Sequence, residues 1–301
     1  MFKNKFWTKT IANMSELGAG TRGASLGLQA LQLIDKENRF FSQVEHIPNS
    51  NEKILNSSFK MPELMSSIAE INKTACDRIS KSLENHARIL YMTGDHSNAI
   101  GGICGLKKYA GQQPIGVVWI DAHGDLHTPQ TTPSGNLHGM PLGACLDLNK
   151  ISNPHAWGKL TSISGHSPAL SPEDIRFIGI RDLEKIEWDE IEKNNMHFKS
   201  VSDVRNIGAC QMAEKCLKSL SNVNFIYVSF DVDALDPNIS RGTGTPVKNG
   251  FQPNEILEML SVFLQEDKVR VLEITEINPL LDNKNKMAQT ILEMLNNLSQ
   301  Q

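Results

Sequence analysis

Cysteine is scarce in this chain and follows no recognisable pattern. The 301 residues contain five cysteines, an odd number, and no CxxC pair occurs among them. A disulfide framework usually uses an even set of cysteines in a small secreted domain, so this spacing argues against one. We therefore expect a protein of the reducing cytoplasm.

The chain also lacks long apolar runs and an excess of positive charge. No run of about 18 apolar residues occurs, and residues 1–10 lack a following apolar stretch of signal-peptide length. Thirty basic and thirty-four acidic residues give a net charge of −4, so no broad basic surface is available for nucleic acid or an anionic membrane. We expect a soluble, unprocessed protein whose partner is a small molecule.

Short apolar segments alternate with segments of helical period. Strands are predicted at 88–92, 116–120, 175–180, 225–229 and 269–274, and helices at 62–86, 97–110, 138–148, 208–221, 253–265 and 285–299. This alternation indicates a three-layer α/β/α fold with a mostly parallel central sheet, in which ligands bind at the carboxyl ends of strands. No composition break divides the chain, so we expect a single domain over residues 1–301. The segment 149–171 is predicted to be a long loop near the site.

Side chains with metal-ligand chemistry follow three of the predicted strands. They are His96, the triplet Asp121, His123 and Asp125, and the pair Asp231 and Asp233. Because side chains two residues apart point to the same face of a strand, we expect each set to project together. For any one of these residues alone, a turn or cap role is the alternative. Three such sets at three strand ends favour a two-metal hydrolytic centre.

The ligand types narrow the choice of metal. Four carboxylates brought together would repel by about 4 kcal/mol per pair at ~4 Å and an effective dielectric of about 20. Two divalent cations would convert that repulsion into binding. Carboxylate and imidazole ligands without cysteine suit Mn²⁺, Mg²⁺ or Fe²⁺ better than a thiolate-rich zinc site. We expect two Mn²⁺ per chain.

A glycine motif near the start of the chain has two interpretations. Residues 18–23 match the GxGxxG dinucleotide fingerprint, and Glu45 lies at a suitable distance downstream. The preceding residues 11–16 make only a weak strand, which argues against a dinucleotide site. We favour a glycine-rich loop that packs near the mouth of the metal centre.

Five motifs occur in the order seen in the ureohydrolases, the family of arginases and agmatinases. They are Gly94-Asp-His-Ser97, Asp121-Ala-His-Gly-Asp125, Ser229-Phe-Asp-Val-Asp-Ala-Leu-Asp-Pro237, Gly242-Thr-Gly-Thr-Pro246 and Glu276-Ile-Asn-Pro279. The resemblance covers the chain from Gly18 to Pro279. Within the family, Ser134-Gly-Asn-Leu-His-Gly-Met-Pro141 is similar to the arginase branch in particular.

The resemblance implies a role for each residue of the centre. It places one metal on His96, Asp121, Asp125 and Asp231, and the other on Asp121, His123, Asp231 and Asp233. Asp125 would also orient the nucleophilic hydroxide, Glu276 would pair with the guanidinium of L-arginine, and His138 would supply a proton to the departing amine. The alternatives are a helix-cap role for Glu276 and a purely structural role for His138.

The resemblance also implies how the substrate is recognised. Thr132, Ser134 and Asn136 match positions that bind the α-carboxylate, and Thr245 is a further expected contact. His127 stands where arginases usually have asparagine, and Glu184 where the family commonly has the shorter aspartate that faces the α-amino group. Thr93 and Arg241 also depart from the usual glycine and proline.

The implied reaction is the manganese-dependent hydrolysis of L-arginine to L-ornithine and urea. The alternatives are a ureohydrolase acting on another guanidino compound, such as agmatine or guanidinobutyrate, and a metal-binding regulator without turnover. Family members are often trimers or hexamers, so a homo-oligomer is expected.

Overall fold

An eight-stranded parallel sheet runs through the part of the chain that the computed structural model describes, residues 7–55, 61–148 and 156–300. Its strands are β1 (Lys9–Asn13), β2 (Val44–His46), β3 (Ile89–Thr93), β4 (Ile115–Ile120), β5 (Ile175–Ile178), β6 (His197–Lys199), β7 (Phe225–Asp231) and β8 (Val269–Thr275). Their order is β2-β1-β3-β8-β7-β4-β5-β6, and neighbouring strands are parallel throughout. The four central strands β3, β8, β7 and β4 therefore end side by side.

Helices cover both faces of this sheet. They are α1 (Gly27–Ile34), α2 (Met61–Leu83), α3 (Ala99–Ala110), α4 (Pro141–Cys145), α5 (Trp157–Thr161), α6 (Lys185–Lys193), α7 (Val201–Ile207), α8 (Ala209–Ser219), α9 (Pro253–Gln265) and α10 (Lys286–Gln300). Helices α2 to α5 pack on one face, and α1 with α7 to α10 on the other. The expected three-layer α/β/α fold is confirmed.

The central strands are apolar because both of their faces are buried. In β4, Val117 and Trp119 enter the hydrophobic cluster beneath α2 and α3, whereas Val118 and Ile120 enter the cluster beneath α8 and α9. Each fully buried side chain of this size contributes roughly 1.5–3 kcal/mol to folding. Among the described residues, the helices do not include a candidate for a membrane span.

Several predicted elements need correction. The predicted helix 138–148 was wrong for most of its length, since α4 covers only Pro141–Cys145 and a short 3-10 turn, Leu137–Gly139, precedes it. Of the predicted loop 149–171, residues 149–155 lie outside the described residues, and α5 lies within the remainder. Strand β6 was missed because it is short and two of its three side chains, His197 and Lys199, are exposed.

Candidate metal centre and substrate cavity

The predicted site residues lie at the carboxyl ends of the four central strands. His96 follows β3, Asp121, His123 and Asp125 follow β4, Asp231 and Asp233 lie at the end of β7, and Glu276 follows β8. Because these strands are parallel neighbours, their ends meet at one edge of the sheet, where ligands bind in folds of this class. The structure brings all seven residues to that edge.

Side chains are turned into the site by three similar tight turns rather than by strand alternation. Asp95, Asp121 and Asp231 each accept a hydrogen bond from the backbone N–H two residues ahead, at Ser97, His123 and Asp233, with distances of 2.8, 2.7 and 2.8 Å. Such aspartate turns bend the chain locally. The side chains were predicted to project together because of the period-two alternation of a strand, and this reason was wrong. Strand β4 ends at Ile120, before the three ligand residues, and Asp125 has a left-handed φ of 53°.

One group of possible ligands surrounds the His96 ring. His96 Nδ1 lies 3.1 Å from a carboxylate oxygen of each of Asp121, Asp125 and Asp231, and all four side chains are buried. Trp119 stacks on the ring at a centroid distance of 4.1 Å and an angle of 4°. The ring is thereby fixed with Nδ1 facing three acidic oxygens.

A second group lies beside the first and shares Asp121 with it. His123 Nδ1 lies 3.0 Å from Asp233 Oδ2 and 3.5 Å from Asp121 Oδ1. The ligand atoms of Asp121, His123 and Asp233 lie within 4.8 Å of one another, as do those of His96, Asp121 and Asp231. Two overlapping groups with a common carboxylate are suited to hold two neighbouring cations.

Hydrogen bonds behind His96 fix which nitrogen carries its proton. Ser229 Oγ donates its single proton to Glu273 Oε2 at 2.7 Å, so it must accept from His96 Nε2, which lies 2.8 Å away. The Nδ1 lone pair then faces the carboxylates, and neither Nδ1 nor Asp121 Oδ2 has a hydrogen-bond partner among the described residues. These orphaned buried atoms fit a metal ion.

The buried acidic charges of the site also favour bound cations. Burial, followed by the charge of Asp121, raises the pKa of Asp125 to about 6. Burial, with the charges of Asp233 and Asp121, raises the pKa of Asp231 well above its usual range. Divalent cations would relieve this repulsion between buried carboxylates.

We expect Ser229→Ala to weaken metal binding by about 10- to 100-fold, the usual effect of removing the partner that orients a metal-bound histidine. Without the Ser229 hydroxyl, Glu273 Oε2 lies 3.8 Å from His96 Nε2, which is too far for a hydrogen bond. Chelator competition measures the affinity. Ser261→Ala removes a buried hydroxyl in α9 that donates to the carbonyl of Leu257, and should leave the affinity unchanged. Equal affinities for both variants would contradict the orienting role.

Glu276 and His138 form a pair next to the first group. Glu276 Oε1 accepts a hydrogen bond from the His96 backbone N–H at 3.0 Å and lies 3.0 Å from His138 Nδ1. Burial opposes the charged ring, but the hydrogen bond with Glu276 and the nearby acidic charges outweigh it and raise the pKa of His138 to about 9. The ring is therefore able to carry a proton at neutral pH in the absence of bound cations.

A cavity of about 250 Å³ opens above the metal-ligand groups. Its lining includes His96, His123, Asp125, His138, Asp231 and Asp233 at the floor, and His127, Thr132, Ser134, Asn136, Glu184 and Thr245 on the walls. All six predicted substrate contacts thus share one cavity. Asp121 and Glu276 lie behind this lining, Glu276 against His138.

Two of the three hydroxyl side chains on the walls, Thr132 and Ser134, are oriented by nearby backbone N–H groups. Thr132 Oγ1 accepts from Gly135 N at 3.0 Å, and Ser134 Oγ accepts from Asn136 N at 3.2 Å. Since each oxygen already accepts a bond, its O–H is left to donate. Donors without charge are suited to bind a carboxylate.

Sequence reasoning missed two acidic residues of the cavity, Asp182 and Glu187. Glu187 is buried at 3% exposure, accepts bonds from the N–H groups of Leu126 and Glu184, and lies 3.6 Å from His127. Burial and the contact with Glu184 raise the pKa of Glu187 to about 8. The signal was present, since an acid three residues after Glu184 at the start of a helix is typical of a capping box.

The glycine-rich loop packs beside the cavity. The carbonyl of Gly18 accepts from His138 N at 3.1 Å, and its N–H donates to Asp95 Oδ2 at 2.7 Å. A Cβ at Gly18 would lie 2.5 Å from Ser97 Oγ, and one at Gly20 would lie 2.6 Å from Asn136 Nδ2. These positions need glycine because the backbone approaches the site residues closely.

Comparison with known proteins gives one consistent family. A profile of the Arginase family matches residues 12–299. The chain is 34% identical over 289 residues to the arginase of Bacillus subtilis strain 168, covering 94% of each chain. The crystal structure of arginase from Bacillus subtilis has a TM-score of 0.82 at 31% identity, with 97% and 98% of the two chains covered. Entamoeba histolytica arginase in complex with L-ornithine has a TM-score of 0.84 at 27% identity, with 96% and 97% covered.

Proposed function

Because the chain belongs to the arginase family, we propose that it hydrolyses L-arginine to L-ornithine and urea with two Mn²⁺ ions. The observation that carries this proposal is the pair of overlapping ligand groups sharing Asp121 at the floor of a cavity with neutral donors on its wall. Hard carboxylate oxygens and imidazole nitrogens suit Mn²⁺.

The residues of the floor supply the chemistry. When bound, two divalent cations supply a water of lowered pKa as the nucleophile. We assign Asp125 to orient that water, because its carboxylate lies at the cavity floor beside His96. We assign Glu276 to hold the guanidinium, since its carboxylate lies next to the first ligand group, where His96 N and His138 Nδ1 fix Oε1.

His138 is assigned to protonate the departing amine. The hydrogen bond from Nδ1 to Glu276 positions the ring, and the ring lines the cavity. Proton donation completes the cleavage of the bond between the guanidinium carbon and the ornithine nitrogen.

The walls are assigned to the amino-acid end of the substrate. Ser134, Thr132 and Asn136 would donate to the α-carboxylate, and Glu184 and His127 would face the α-amino group. Thr245 Oγ1 donates to Asp233 Oδ2 at 3.1 Å, so this residue would bound the cavity next to the second ligand group.

We expect a kcat/KM for L-arginine at least about tenfold higher than for agmatine. Agmatine cannot make the hydrogen bonds between the donors of Ser134 and Asn136 and the α-carboxylate, and a hydrogen bond to a charged group contributes roughly 1.5–3 kcal/mol. Ser134→Ala should narrow this ratio, whereas Ser162→Ala, at an exposed serine, should preserve it. A higher kcat/KM for agmatine would favour the agmatinase or guanidinobutyrate alternative. If the protein binds both metal ions but releases no urea from any guanidino compound, the alternative of a metal-binding regulator without turnover would be favoured.

Our proposal for the oligomeric state rests on the family and not on a feature of the protein surface. We propose a cytoplasmic homo-oligomer, a trimer or hexamer, in which residues 1–301 of each chain form one domain. Sedimentation equilibrium of the manganese-loaded protein measures the assembly, and a monomer at micromolar concentration would refute it.

A further inference from the structure

Three metal-capable side chains meet on the cavity wall, outside both ligand groups of the floor. His127 Nε2 lies 2.9 Å from Glu184 Oε2 and 3.6 Å from Glu187 Oε2, and the three donor atoms lie within 4.8 Å of one another. Ligand atoms bound tetrahedrally at about 2.1 Å from an ion are about 3.4 Å apart. In the wall cluster, formed by His127, Glu184 and Glu187, the two distances from His127 Nε2 lie on either side of this value.

The charge balance of the wall cluster also favours a cation. Glu187 is 3% exposed, and no lysine or arginine of the described ranges pairs with it; the imidazole of His127 lies 3.6 Å away. Glu184 brings a second carboxylate next to it. Burial disfavours the charged form of Glu187, and a bound cation would stabilise that form.

The His127 ring is held in a fixed position. Its Nδ1 lies 3.2 Å from Thr131 Oγ1, and its backbone N–H donates to the carbonyl of Gly139 at 3.1 Å. A Cβ at Gly143 would lie 2.1 Å from the His127 carbonyl oxygen, so the backbone is also closely packed. A contact at one ring nitrogen orients the other toward a metal, as in many histidine sites.

We propose that His127, Glu184 and Glu187 form a third cation site, separate from the centre on the floor. The site would take a borderline transition-metal ion such as Zn²⁺, with one imidazole, two carboxylates and an open position toward the cavity. A cation there would bind Glu184 and His127, the two residues assigned above to the substrate's α-amino group, and would compete with substrate. This last step rests on the proposed function; the site itself does not.

Zinc uptake by the manganese-loaded protein tests the site. Because Zn²⁺ binds nitrogen and oxygen ligands more tightly than Mn²⁺, the zinc is titrated with manganese in excess. We expect the total metal content to rise from two ions to about three per chain in the absence of substrate. His127→Asn keeps a hydrogen-bonding side chain without an imidazole and should weaken zinc binding at least about tenfold, which is about 1.4 kcal/mol. Glu187→Gln should do the same. His46→Asn, at an exposed histidine of β2, is the matched control and should bind zinc like the unsubstituted protein.

Three results would overturn the site: no uptake of zinc, zinc that replaces manganese with an unchanged total, or equal uptake by His127→Asn and His46→Asn. Competition is measured separately, as a rise in the KM for L-arginine with zinc at constant kcat. Zinc uptake without a rise in the KM for L-arginine would refute the competition with substrate but not the site. A protein that binds zinc at this wall but releases no urea from arginine refutes the proposed function and leaves the site standing.

Discussion

Asp121→Asn is expected to lower kcat by roughly 10⁴-fold or more, since enzymes exceed the uncatalysed rate by about 10⁶-fold or more and this variant loses its activated nucleophile. Asp121 is the carboxylate common to both ligand groups, with Oδ2 facing His96 and Oδ1 facing His123. We expect metal analysis to show less than one manganese per chain. His123→Ala, which removes a ligand from one group alone, should retain about one.

Asp236→Asn is the matched control for this change. Asp236 is also a buried carboxylate that accepts two backbone hydrogen bonds, from Asn238 and Gly250, but it lies outside both ligand groups. It therefore tests the cost to folding without removing a ligand. Two manganese ions per chain in Asp121→Asn would contradict the shared-ligand assignment.

His138→Ala should lower kcat by roughly 10²- to 10⁴-fold, the usual effect of removing a general acid, while the manganese content stays constant. The reason is that His138 lines the cavity, is held by Glu276 and can donate a proton there. Added imidazole should restore part of the loss, because it can carry the same proton into the vacated space.

A structural role for His138 predicts a different pattern. His138→Asn retains a side chain that can donate a hydrogen bond to Glu276 but has no titrating proton. If the ring only positions Glu276, this variant keeps its kcat per folded, metal-loaded chain. We expect it to be as slow as His138→Ala, and an unchanged kcat would remove proton donation from the account.

The sequence predicted the strand ends well because the central strands are apolar on both faces. Buried strands such as β4 and β7 read as short apolar runs, and the acidic residues follow them directly. Placing those residues required only that parallel strands end at the same edge. The orientation of their side chains was harder to predict, since it depends on the aspartate turns and on the left-handed backbone at Asp125.

Contacts between distant segments could not be predicted from the pattern. Ser229 and Glu273 orient His96 from two other strands, and one charged residue within an apolar strand is only a weak signal. The wall cluster depends on the turn that brings the start of α6 against residues 126–127. The predicted helix at 138–148 is shorter than expected because the backbone leaves the helical region at Met140, with a φ of −127°, and at Asp147, with a left-handed φ of 52°; helical period does not reveal either turn.

The most direct test of the central claim is product analysis with L-arginine after manganese reconstitution and dialysis. The account predicts urea and ornithine in equal amounts, produced by protein that retains two manganese ions per chain, and loss of both products when a chelator removes the metal. Protein that is folded and carries two manganese ions per chain, yet releases no urea from L-arginine, would contradict it.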